Sequence, residues 1–229
     1  GTGGLNKNGT GTTTLTGNST YTGDTSVNAG KLVVNGSQPQ SPVTVGATGI
    51  LGGSGIVGVI VNTVGGVVAP GASPGILTCS SVNFSGVNSD FTVELSGPIA
   101  GSGYDQLNVQ GTNNLGGATL NVNAAFGLSN APAIGQQFTI LNNDGVDAIT
   151  GTFSGRPNNS TFTVDNLTFV INYNGGIGAN DVVLTLTNAG GKVVGTAILS
   201  GNGNGLIDPN ECNLLNVVVS NSTANPMTG

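Results

Sequence analysis

The chain has 229 residues, of which 41 are Gly, 6% are charged and 4% are aromatic, with no Trp and no His. The formal net charge is −6, and the four basic residues, Lys7, Lys31, Arg156 and Lys192, are scattered along the chain. Four isolated cations cannot neutralise a run of phosphates, so nucleic acid is excluded as a partner and an anionic membrane surface finds no basic patch.

No apolar stretch approaches the roughly 20 residues that a membrane-spanning helix takes, so no membrane insertion is expected. Without His, the Ser–His and Cys–His nucleophile pairs and the imidazole metal sites are gone. Apolar residues make up 37% and recur in short runs, which argues against disorder. The chain opens on Gly1 with no secretory leader, and reads as a processed or excised piece of something longer.

In chain order the apolar runs are TTTLT, TSVNA, KLVV, VTV, GVIVNTV, GVVAP, ILTCSSVNF, FTVEL, DQLNVQ, ATLNVNA, FTIL, TFTV, TFVINY and DVVLTLT. Each is bounded by Gly, Asn, Asp or Pro, the residues that supply turns. No dozen residues show a 3.6-residue period free of Gly and Pro, so helix is not expected. The first third favours a solenoid, in which the chain turns a corner every few residues and buries its apolar face only by stacking on its neighbours. Asn, Thr and Ser ladders would cover the outside without charge. From Phe84 onward the runs lengthen and Phe becomes commoner, which suggests wider passes or a small sheet closing the column. The expected fold is all-β: a right-handed parallel β-helix (solenoid) over residues 1–188 and a short C-terminal β-strand segment over 189–229.

Residues 11–36, GTTTLTGNSTYTGDTSVNAGKLVVNG, resemble the autotransporter-associated β-strand repeat of bacterial surface proteins. The segments GILGGSGIVG, GGVVAPGASPGIL and YDQLNVQGTNNLGGATLNV are similar to the stretches downstream of that repeat in the same proteins. The resemblance covers about residues 11–188. It implies a parallel β-helix exposed outside the cell or on the bacterial cell surface, and it says almost nothing about a ligand.

Residues 200–211, SGNGNGLIDPNE, fit the register of an EF-hand-type calcium loop. Ser200, Asn202, Asn204, Leu206 through its carbonyl, Asp208 and Glu211 stand at the six ligand positions, and Gly205 at the sharp turn. Ser replaces Asp at the first position and only two carboxylates remain, so calcium would bind weakly. A Gly/Asn-rich turn between strands is the alternative. The turn NNDGVD at 142–147 carries two carboxylates and reads as a hydrogen-bonded turn. Glu94 and Asp105 could form a glycosidase-like pair only if their strands stack. Cys79 and Cys212 are either two independent thiols or one long-range bridge. The sequons at Asn18, Asn83 and Asn166 read as chance in an Asn/Thr-rich chain.

The expected function is structural and non-enzymatic: a stalk, an adhesin segment or a self-assembling filament subunit. The alternative is a polysaccharide-binding or polysaccharide-degrading β-helix, with surface glycans as partners. After Asn188 the strands in GGKVVGTAILSG and LLNVVVSNSTANPMTG resemble the opening of an immunoglobulin-like domain. About 40 residues cannot bury a core alone, so these strands are expected to cap their own solenoid or to add to a neighbouring copy, head to tail.

Overall fold

A side-chain period of two decides what each short run buries. β9 (Asp90–Leu95) buries Phe91, Val93 and Leu95 and leaves Asp90, Thr92 and Glu94 partly exposed. β8 (Ile76–Phe84) buries Leu77 and Cys79, breaks the alternation at Ser80 and Ser81, and resumes with Val82 and Phe84 inward. The break is a corner, at which the strand leaves one ladder and joins another. The computed structural model describes residues 1–127, 130–145 and 147–189, together with the backbone of two strands at 192–198 and 215–220.

Three parallel ladders account for most of the pairing. In the first, β1 (Leu5–Lys7), the starts of β3 (Thr25–Val34) and β5 (Val43–Gly53), the ends of β6 (Ile56–Asn62) and β8, and β11 (Asn113–Asn114) align Leu5, Thr25, Val43, Ile60, Val82 and Asn113. In the second, β2 (Thr12–Leu15), the ends of β3 and β5, β7 (Val67–Pro70), β9 and β12 (Thr119–Ala124) align Thr12, Lys31, Ile50, Val67, Asp90 and Thr119. In the third, β4 (Ser37–Gln38), the starts of β6 and β8, β10 (Gln106–Val109) and β13 (Gln137–Asn143) align Ser37, Ile56, Thr78, Asn108 and Asn142. Successive passes of the chain therefore lie over one another in one large, mostly parallel sheet. No α-helix occurs among the described residues.

The corners are close-packed backbone. Gly30 has φ +67°, and a Cβ there would lie 2.5 Å from the carbonyl oxygens of both Gly9 and Gly11, so only Gly fits. At exposed positions, Asn18 Oδ1 accepts the amide of Ser37, and Asn35 Oδ1 the amide of Ser54. Asn28 donates to Asn8, and Asn114 to Asn83. These are the uncharged polar ladders that the composition implied.

The interior is one apolar column. Val27, Leu32, Val43, Val45, Leu51, Ile60 and Val68 are fully buried in its first part. Aromatic rings fill the later part, where Phe84 and Phe91 meet edge to face at 5.7 Å and Phe91 stacks on Phe153 at 5.8 Å. Wider passes need larger side chains to keep native packing density.

Parallel stacking ends at β13. β16 (Asp181–Ala189) pairs with β13 antiparallel, β15 (Leu167–Gly175) with β16, and β14 (Thr161–Val164) with β15. β14 and β15 are joined through Asp165 (φ +49°) and Asn166 (φ +66°), and a two-residue turn with both residues left-handed joins only antiparallel strands. This antiparallel sheet covers the edge that the last parallel pass would leave open. Further along, β17 (Lys192–Ile198) and β18 (Leu215–Ser220) pair antiparallel with each other, Lys192 opposite Ser220 and Ile198 opposite Leu215.

Candidate functional site

Among the described residues, the structure joins Glu94 and Asp105, the one carboxylate pair that the sequence singled out as a possible reaction centre. β9 ends beside the segment that enters β10, so Asp105 donates its own amide to the Glu94 carbonyl at 2.9 Å. Its side chain turns inward and is 5% exposed. Oδ1 accepts the amide of Gly75, and Oδ2 the amide of Glu94, both at 2.8 Å. Gln106 adds an amide bond to the Gly75 carbonyl at 3.0 Å. Gly71 holds the turn against the carboxylate with φ +87°, and a Cβ there would fall on Asp105 Oδ1. Glu94 is half-buried and accepts a hydrogen bond from Ser73 Oγ.

Burial pushes the Asp105 carboxyl up to about 6, against the two backbone amides that favour its charged form. The charge of Glu94 raises it further, and Lys31 opposes that rise. Each oxygen already accepts a backbone N–H and the side chain is turned into the protein, so the Asp105 carboxylate is poorly placed to position a water or a sugar. Asp105 ties the turn at 71–75, the end of β9 and the start of β10 to one another. Its partners Glu94 and Gly75 lie 11 and 30 residues away, which hides the arrangement from any local motif.

The cations do related work. Lys7, 7% exposed, donates to the carbonyls of Gly9 and Ala29 at a corner, which nothing in the sequence signalled. Arg156 lies over the Phe162 ring at 4.2 Å, a cation–π contact. Tyr21, in the YTG motif, donates to Gln38 Oε1 at 2.6 Å and meets Thr25 Oγ1, which meets Ser41 Oγ. In the 142–147 turn, the Gly145 and Asp147 carbonyls accept from Asn180 Nδ2, and the Asp147 carbonyl also accepts from Asn143 Nδ2. Asn18 and Asn83 serve in the outer ladders and Asn166 in the tight turn.

Among the described residues, no three carboxylate or thiol side chains gather as a metal centre. The calcium-loop residues Ser200, Asn202, Asn204, Leu206, Asp208 and Glu211 lie outside the described residues. Cys79 is buried in the column, where desolvation raises its thiol to about 12, and it has no disulfide partner among the described residues. Cys212 lies outside them. A cavity of about 210 Å³ opens between Pro98, Phe126, Pro132, Gln136 and Phe138.

Residues 5–34 match the passenger-associated-transport-repeat family. The chain is 35% identical over 159 residues to an extracellular serine protease of Serratia marcescens, which covers 67% of this chain and 14% of the protease. It is 43% identical over 75 residues to the adhesin BmaC autotransporter of Brucella suis biovar 1, covering 31% of this chain and 2% of that adhesin. The chain thus spans only a small part of the curated relatives it matches. It carries the autotransporter-type passenger repeat that residues 11–36 implied, and its location is extracellular or at the cell surface.

Proposed function

We propose that residues 1–188 form one right-handed β-solenoid unit, parallel through β13 and closed by the antiparallel sheet of β14, β15 and β16, whose function is structural, a stalk or adhesin segment of an exported surface protein, and not catalytic. The observation that carries this reading is the set of three parallel ladders around a single apolar column. Each pass satisfies its backbone through its neighbours, so length grows by adding passes and needs no second core. On the outer faces, Asn and Thr side chains bond from pass to pass. The adjoining carboxylates at Glu94 and Asp105 are occupied by main-chain amides and Ser73, which supports a structural role for them as well.

Residues 189–229 are the assembling segment in this proposal. β17 and β18 form a two-stranded antiparallel ribbon, and such a ribbon is marginal unless a further strand or surface covers it. Addition to the sheet edge of a neighbouring copy, head to tail, satisfies its backbone and does not close on itself, which yields a filament. The loop at 200–211 binds calcium weakly through Ser200, Asn202, Asn204, the Leu206 carbonyl, Asp208 and Glu211, and so fixes the ribbon's register. Surface glycans are the remaining partner class, and the cavity at Phe126 offers them an aromatic face.

Sedimentation of the full chain and of a chain lacking residues 190–229 tests the assembly. The full chain should form concentration-dependent oligomers, and the truncated chain a folded monomer. A full chain that stays monomeric at high concentration, or a truncation that unfolds the remainder, makes the ribbon a cap on its own chain. For the loop, about 5 mM calcium should raise the melting temperature of the full chain, and Asp208→Ala should reduce that rise.

A further inference from the structure

The strongest unexplained feature lies where the 142–147 loop meets Asn180, just ahead of β16. Three main-chain carbonyls, of Asp144, Gly145 and Asp147, converge on one atom, Nδ2 of Asn180, at 3.5, 3.2 and 3.3 Å. Asn180 is 3% exposed and its Nδ2 lies among these carbonyls, yet its Oδ1 has no partner among the described residues. Asn143 is 4% exposed, places Nδ2 on the Asp147 carbonyl at 2.6 Å, and likewise leaves Oδ1 unpartnered among the described residues. Asp147 Oδ2 is buried with no partner among the described residues either. Asp181 closes the base by accepting the Asn143 amide at 2.8 Å. Among the described residues, only amide groups donate into the cluster.

We propose that this cluster is a calcium site, separate from the loop at 200–211. Each buried oxygen left without a donor costs about 1–3 kcal/mol, and a cation bound among these residues would supply the positive partner they lack. The two ends of an Asn amide have nearly the same shape, so turning the Asn180 amide over puts an oxygen 3.2–3.5 Å from the three carbonyl oxygens. Ligands about 2.4 Å from a calcium ion stand about 3.4 Å apart when adjacent, which is that spacing. Magnesium, at about 2.1 Å, draws its ligands to about 3.0 Å and demands a near-ideal octahedron. The ligands would be Asn180 Oδ1, the carbonyls of Asp144, Gly145 and Asp147, the Asp147 carboxylate and Asn143 Oδ1. With a single carboxylate among them, affinity falls in the millimolar range of extracellular modules. Calcium would then lock β13 and β16 together at the point where parallel stacking gives way to the antiparallel sheet.

The test uses the full chain carrying Asp208→Ala and Glu211→Ala, which silences the other loop. Calcium chloride is titrated to about 10 mM against the melting temperature and by calorimetry, with magnesium as control. Calcium should raise the melting temperature and magnesium should not. Asp147→Asn should abolish the rise while leaving the chain folded. Asn180→Asp is the sharper variant. It should lower the melting temperature in chelator, because a carboxylate then faces three carbonyls, and it should bind calcium about tenfold more tightly. If Asn180→Asp is destabilised equally with and without calcium, the amide itself fills the loop and the proposal fails. An absent shift, an equal shift with magnesium, or a shift that survives Asp147→Asn overturns it as well.

Discussion

Asp105 shows how much work one buried carboxylate does here, and its raised titration gives that work a pH signature. Below about pH 3.8 the group is protonated in the folded and unfolded chain alike. Between there and about 6 the unfolded chain releases the proton while the folded chain keeps it. The folded state binds more protons in that window, so this group's contribution to stability is full below it and is lost as pH rises through it. Asp105→Asn removes the titration and replaces one acceptor oxygen with an NH₂ that faces a backbone N–H. Urea unfolding of both chains at pH 4, 5, 6 and 7 cancels the other carboxylates. The wild-type advantage should be largest at pH 4 and shrink by pH 6, and the variant should be less stable throughout by about 1–3 kcal/mol. A difference that does not change with pH would mean that Asp105 ionises normally in the fold.

At the level of elements, burial ranks the strands. Phe91 in β9 is fully buried between Phe84 and Phe153, whereas Val87, in the turn before it, is 71% exposed. Phe91→Ala should cost about 3–5 kcal/mol in chemical denaturation, and Val87→Ala less than about 0.5 kcal/mol. That contrast was legible in the sequence, because FTVEL alternates and GVN is turn chemistry. The strand runs, the Phe-rich later column and the outer Asn ladders were legible for the same reason: each rests on residues a few positions apart. Partner choice was not. Val43 aligns with Ile60, but Val82 waits until Asn113, so no fixed period announces the passes. The antiparallel end was hidden because Asp165–Asn166 differs from the usual Gly-containing hairpin turn, although its geometry is the same. The bonds from Gly75 and Glu94 to Asp105 and the caging of Asn180 by the carbonyls of Asp144, Gly145 and Asp147 join segments that only the fold brings together.

For the whole molecule, a stack of passes makes a prediction that a closed single-layer sheet does not. Val43 aligns with Ile60 on the first ladder and Ile50 with Val67 on the second, so residues 43–59 make up one pass with the same offset on both. On the third ladder Ile56 lies between Ser37 and Thr78. Deleting 43–59 joins Pro42 to Ile60 and brings Thr25 opposite Ile60, Lys31 opposite Val67 and Ser37 opposite Thr78. Every ladder keeps its inward and outward faces, since the register shift is a whole pass. The deletion discards the buried Val43, Val45, Leu51 and Val57, but it leaves no hole, because the passes above and below close on each other. Leu51→Ala in the intact chain does leave a hole, at about 2–5 kcal/mol. The shortened chain should therefore keep its β-sheet circular dichroism, unfold cooperatively and melt no lower than Leu51→Ala. In a closed single-layer sheet β5 stands between β7 and β6, and removing it with most of β6 would cut the sheet in two. A deletion that loses cooperative unfolding while Leu51→Ala retains it would therefore count against the solenoid.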